Sequence, residues 1–300
     1  MGKWVADCAD ALRPIACAIG NMALRAHVLQ TDDTGLRVLD KESEKGTARG
    51  HLWGYLGDGQ WFYYHYTPDW KADDTQAFLK DRVGWLVVDG YAGYAKLFKD
   101  DGTGCIEVGC WAHTRRYFEK ASTQEARAAV ALHYIGKLYD IERRAKNEGL
   151  DAGAVRALRV NEATPILEDL KIWVGSLEGR VTPESALGKA VTYITNQWAA
   201  LQRYLEDGAL PIDNTGIERA HRGTAVGRRN WLFAGSHEAA ERTAILYTVV
   251  NTCILCNVNP EAYIADVLRL MQQRGSAANL VNLLPQAWGA RKKAEQNAEA

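Results

Sequence analysis

Neither sign of charge predominates in this 300-residue chain: 36 Lys+Arg face 37 Asp+Glu, a formal net charge of −1. A uniformly basic nucleic-acid coat is thereby excluded, but local basic patches are not. No apolar run reaches the roughly 20 residues that a membrane helix needs. The longest, Ala244 to Val258, is interrupted by Thr248, Asn251, Thr252 and Asn257 and reads as a buried helix. Met1 to Asp7 lacks the apolar stretch of an export signal, and Ala6 stands where N-myristoylation wants Ser or Thr. Six cysteines fall short of a disulfide scaffold and fit a reducing compartment, so a cytoplasmic location is expected. Internal repeats and long low-complexity segments are also lacking. What is present, 47% hydrophobic residues, rules out disorder as a description of the whole and is enough for one or two folded domains.

Along the chain, Val5, Cys8, Leu12, Ile15 and Ile19 have helical spacing, and Pro14 among them predicts an irregular pair of helices. From Val28 to Tyr66 the texture is β-rich, with Gly57-Asp58-Gly59 joining two aromatic runs into a hairpin. Trp85 to Val88 suits a buried strand ending at Asp89-Gly90, and Cys105 to Cys110 another. After His113 about a hundred residues read as amphipathic helices. Ser122 with Glu125 forms a capping box, Thr164-Pro165 and Thr182-Pro183 each open a helix, and Ser236 and Asn259-Pro260 open two more near the end.

Three acids stand out by position: Asp32 in the first strand, Asp89 at the end of a buried strand, and Glu218 on a helix after the long helical stretch. Converging carboxylates at a sheet's end suit two Mg²⁺ ions roughly 3.5–4 Å apart, with positions left open for phosphate oxygens. The same residues also fit plainer roles. Asp89-Gly90 is a common strand-ending turn, Asp32-Asp33-Thr34-Gly35 can turn, and Glu218 can pair with Arg222 at i, i+4.

Several motifs then occur in one order. They are Asp32-Asp33-Thr34, Val88 to Tyr94, Gly109-Cys110-Trp111-Ala112-His113-Thr114-Arg115-Arg116, Ile212-Asp213-Asn214 with Glu218-Arg219-Ala220, and Gly227 to Ser236. In order and spacing they resemble the transposases of insertion sequence family 66, and the likeness continues through Asn259 to Tyr263 and Leu283-Leu284-Pro285. The resemblance implies an α/β fold: a ribonuclease H-like mixed sheet with a large all-α insertion before the last catalytic helix. It gives Asp32, Asp89 and Glu218 the Asp-Asp-Glu places that bind two Mg²⁺, with Mn²⁺ as substitute. It departs at Thr215, where the family often has a second Asn, and at the start, where the family's extra helical and zinc-binding region is not found. A catalytic half or truncated copy is therefore expected.

On this reading, residues 1–27 are a leading helical segment. Residues 28–116 and 209–290 form the catalytic domain around a helical insertion at 117–208, and 291–300 are a flexible tail. Arg219, Arg222, Arg228 and Arg229, and with less weight Arg115 and Arg116, are the phosphate contacts, because guanidinium forks suit phosphate oxygens. Cys110-x-x-His113 is half a zinc site that Cys253-x-x-Cys256 can complete; the stronger reading packs both cysteines of that helix as small hydrophobes and leaves His113 orienting the strand end. The partners expected are transposon-end and target DNA, a second copy of the chain and accessory transposition proteins, in the bacterial cytoplasm at the nucleoid, with no membrane. Two other readings stay open: a catalytically silent DNA-binding remnant, and a carbohydrate-active protein whose Trp53, Tyr55 and Trp61 to Tyr66 stack on sugars.

Overall fold

The computed structural model describes residues 2–98, 104–274 and 279–299. Two compact units are formed, Met1–Arg82 with Gly216–Ala300, and Val83–Thr215. The first opens with α1 (Lys3–Arg25), one continuous helix where two were expected. Pro14 lies on its exposed side, and a proline inside a helix costs about 3 kcal/mol. Leu12, Ile15 and Ile19 are wholly buried on the other side, each contributing about 1.5–3 kcal/mol. Burial outweighs the lost backbone bond, so the helix runs through.

Strands β1 (Val28–Leu39), β2 (Thr47–Gly57) and β3 (Trp61–Thr67) form an antiparallel meander. The turn between β2 and β3 is the expected one: Asp58 and Gly59 take positive φ of 47° and 68°. The Asp58 carboxylate also accepts the Val28 backbone N–H at 2.9 Å, which ties the turn to the start of β1. Trp53, Tyr55, Trp61, Phe62 and Tyr64 are buried. The aromatic hairpin is therefore core, and the sugar-stacking reading loses its platform. A short helix, α2 (Ala72–Leu79), follows.

In the second unit, β4 (Gly84–Val87) and β5 (Cys105–Val108) pair in parallel, and the helices α3 (Trp111–Ser122) and α4 (Ala128–Asn147) follow. The capping box expected at Ser122 does not form. Ser122 ends α3, and its hydroxyl donates back to the Glu119 carbonyl at 2.8 Å instead of capping the next helix. Helix α5 (Ala152–Leu158) runs through a π-turn, Arg159–Ala163, into α6 (Thr164–Gly175). The helix expected to open at Thr182-Pro183 begins later and is split. Ser185 Oγ caps α7 (Ala186–Asn196) by accepting from Gly188 N at 3.0 Å, and α8 (Trp198–Gln202) starts afresh after Gln197 leaves helical geometry. Ile135, Leu138, Leu170, Leu187 and Ile194 are buried in this unit. Arg159, also buried, holds both carboxylate oxygens of Glu142 at 2.8 and 2.7 Å.

The chain then continues as α9 (Thr215–Trp231), α10 (His237–Leu255), α11 (Pro260–Arg274) and α12 (Pro285–Glu299). Ser236 caps α10, as its sequence predicts, accepting from Ala239 N at 3.1 Å. Residues 291–299, expected as a tail, continue α12. The polar interruptions of α10 have a purpose: Thr252 Oγ1 accepts from Phe62 N at 3.2 Å and donates to Phe62 O at 2.9 Å, and Thr248 Oγ1 accepts from Tyr64 N at 2.9 Å. Two threonines at i, i+4 thus satisfy β3 along the side away from β2, its strand partner in the meander. Among the described residues no helix is long and apolar enough to cross a membrane.

Candidate active site

Side chains on β1 alternate, so the adjacent Asp32 and Asp33 face opposite sides. Asp33 is taken up by His51 of β2, whose Nδ1 lies 2.6 Å from Asp33 Oδ2. Asp32 faces α9. Its Oδ2 lies 3.9 Å from His221 Nε2, and its Oδ1 accepts the Asp33 backbone N–H at 2.9 Å.

Three small features bring the start of α9 to this face of β1. Gln30, buried two residues before Asp32 on the same side, accepts the Ile217 N–H at 3.3 Å. Gly216 permits the approach, since a Cβ there would lie 2.6 Å from Gln30 Oε1. Gly54, the registered partner of Asp32, leaves room for the His221 ring, which a Cβ at that position would meet at 2.6 Å. Glu218 stands half-buried in the first turn of α9, and His221 follows it one turn on.

His221 carried no signal in the sequence beyond its i+3 spacing from Glu218. Its Nδ1 lies 2.7 Å from the Tyr64 hydroxyl, which donates in turn to Thr224 Oγ1 at 3.0 Å. Its Nε2 is buried without a hydrogen bond. Burial, and after it the charge of Arg228, push the imidazole down to about 4, so the ring is neutral near pH 7.

In the second unit, Asp89 follows β4 and its Oδ1 accepts the Tyr91 N–H at 3.1 Å, closing an Asx turn in which Gly90 has φ of 85°. Tyr193 donates to the Asp89 carbonyl at 2.7 Å. Asp213 sets the start of α9 by accepting from both Thr215 N, at 2.9 Å, and Thr215 Oγ1, at 2.6 Å. Cys110 is buried, and its sulfur lies 3.2 Å from His113 Nδ1 and accepts Asn214 N at 3.2 Å. Burial pushes that thiol up to about 12. The other nitrogen of His113 meets Arg116 at 3.1 Å, and Arg115 pairs with Glu119 at 2.9 Å. Cys253 is buried within α10. Among the described residues no group of three His, Cys, Asp or Glu is gathered as a metal site.

Of the remaining arginines, Arg219, Arg222 and Arg229 are exposed and form no ion pair among the described residues, while half-buried Arg228 donates through Nη1 to the Gly35 carbonyl.

Residues 1–242 match the family described as "Transposase IS66 family". The chain belongs to that family. Two relatives from Sinorhizobium fredii (strain NBRC 101917 / NGR234), uncharacterized protein y4hP and uncharacterized protein y4qI, are each 29% identical to this IS66-family chain. The matches cover 93% and 95% of the chain and 54% and 55% of the relatives. The IS66-family chain thus spans about half the length of the curated relatives it matches. No solved structure matches it.

Proposed function

We propose that this chain carries the catalytic core of a DDE transposase, which cuts and joins DNA at insertion sequence ends by in-line phosphoryl transfer on a ribonuclease H-like scaffold. One observation supports the reading: Gln30 and Gly216 seat the first turn of α9, the turn that carries Glu218, against the side of β1 that bears Asp32. Asp89 takes the remaining place by its motif alone.

The donor set fits the implied cation. Asp32 and Glu218 offer hard carboxylate oxygens, and Mg²⁺ is commonly held by one or two carboxylates with water and substrate phosphates completing its shell. Asp32, Asp89 and Glu218 would hold it, and when bound it would supply Lewis-acid polarisation of the phosphoryl oxygens and activation of the attacking water or 3′-hydroxyl. The chain's own groups prepare the site. Neutral His221 fills the space beside Asp32 without adding a competing cation, and the Asp33 N–H fixes one Asp32 oxygen so that the other is turned toward α9. Arg219, Arg222 and Arg229, exposed and without an ion pair among the described residues, are the guanidinium groups offered to backbone phosphates, with Arg115 and Arg116 as outlying contacts. The Cys110 and His113 pair braces the chain that leads into α9.

The decisive experiment is Mg²⁺-dependent nicking or strand transfer on a terminal-repeat duplex. Asp32→Asn, Asp89→Asn and Glu218→Gln should each abolish it without changing the far-UV circular dichroism. Full activity in any one of them removes that acid from the site. Binding without nicking by the unaltered chain favours a silent DNA-binding remnant, a reading to which the Asx turn at Asp89 already lends a structural role for that acid.

A further inference from the structure

Beyond Asp32, β1 and β2 place Arg37 directly opposite Arg49. Like charges facing each other across an antiparallel pair repel and cost stability. Both side chains are exposed, and neither forms an ion pair among the described residues. A third arginine reaches the same spot from α9, where Arg228 donates to the Gly35 carbonyl. The Arg49 guanidinium packs over Gly35, where a Cβ would lie 2.9 Å from Arg49 Nε and 3.1 Å from Arg49 Nη2. These residues, with Thr34 and Thr47, line an open cleft of about 630 Å³ that has no carboxylate in its wall.

Three guanidinium groups gathered at one cleft against their mutual repulsion call for an anion. Forked guanidinium donors match phosphate oxygens, and the threonine hydroxyls on the wall add neutral donors. The geometry points to a backbone-phosphate site formed by Arg37, Arg49 and Arg228, which holds a DNA strand away from the reacting bond. Arg37 and Arg49 belong to none of the motifs that identify the family. At about 3.4 Å per residue, Gly35 and Arg37 stand roughly 10–17 Å along β1 from Asp32, and the side chains of Arg37 and Arg49 lie on the face shared by Asp33, opposite Asp32. The inference rests on the DNA reading above.

The test measures affinity of the full chain for a scrambled-sequence duplex by fluorescence anisotropy between 50 and 200 mM salt. The parent is compared with Arg37→Gln/Arg49→Gln and with a charge-matched control on the second unit, Arg156→Gln/Arg180→Gln. Losing two phosphate contacts should flatten the slope of log affinity against log salt by about 1.8, against under about 0.5 for the control. The thermal midpoint of the cleft variant should equal or exceed the parent's, because a repulsive pair is gone. Gly35→Ala, which displaces the Arg49 guanidinium without removing charge, should weaken binding in the same direction.

A parental salt slope in the folded cleft variant overturns the phosphate site and leaves the transposase reading standing. Full displacement of the duplex by inorganic phosphate at matched ionic strength overturns it too, in favour of a free-phosphate site. A flattened slope in a chain that never nicks DNA supports the cleft and removes the catalytic reading. Failure of the parent to bind any duplex removes both.

Discussion

At the scale of single residues, the candidate site depends on side chains that are missing as much as on those present. Gly54→Ala would force the His221 ring from beside Asp32, where the added Cβ would come within 2.6 Å of it. Overpacking of this kind costs about 1–3 kcal/mol. The expected outcome is a lowered urea midpoint together with a loss of Mg²⁺-dependent nicking larger than the stability change accounts for; unaltered nicking in the folded variant would free Asp32 from any need of His221. The resemblance put Asp32, not its neighbour, in the first acidic place. Strand alternation turns Asp33 to the opposite face, where His51, 18 residues on, claims it, a pairing no local pattern announces. Gln30, Gly54 and His221 were illegible for the same reason: each acts through a partner distant in the chain, and none belongs to a local pattern.

At the scale of elements, periodicity served well where one face is apolar and poorly where a cap or break decides. The hairpin, the strand before Asp89 and the caps at Ser236 and Asn259 were all legible, because turn and cap chemistry lies within four residues. Pro14 misled because the cost it adds locally is smaller than what α1 gains from core contacts. In α10, Thr248 and Thr252 looked like blemishes in an apolar run yet serve the backbone of β3. Thr252→Val keeps the shape but strands both the N–H and the carbonyl of Phe62, whereas Thr248→Val strands only the N–H of Tyr64. At about 1–3 kcal/mol for each buried unsatisfied group, Thr252→Val should destabilise by more than Thr248→Val. Chemical denaturation with the two variants side by side checks the order, and equal losses would mean that water reaches the edge of β3.

At the scale of the molecule, the two units differ in how they are assembled from the chain. Val83–Thr215 is continuous, whereas the other unit is made from two distant stretches. Residues 83–215 expressed alone should therefore give a cooperative thermal transition with helical circular dichroism, while residues 1–82 alone should give none; a cooperative melt of the shorter fragment would show that α10 is dispensable to the meander. Local pattern could not reveal this pairing of chain ends, because it joins stretches more than 130 residues apart.

The threonine seal on β3 also sets a timetable for synthesis. Phe62 must wait for Thr252, 190 residues later. At about 5–20 residues per second, a ribosome takes roughly 10–40 s to deliver it. Throughout that interval the nascent chain presents an aromatic strand with an open edge, while the intervening residues 83–215, a unit of their own, are still being made. Each newly made molecule thus passes through a window in which the β3 edge awaits its seal, and slower translation between codons 67 and 248 lengthens that exposure.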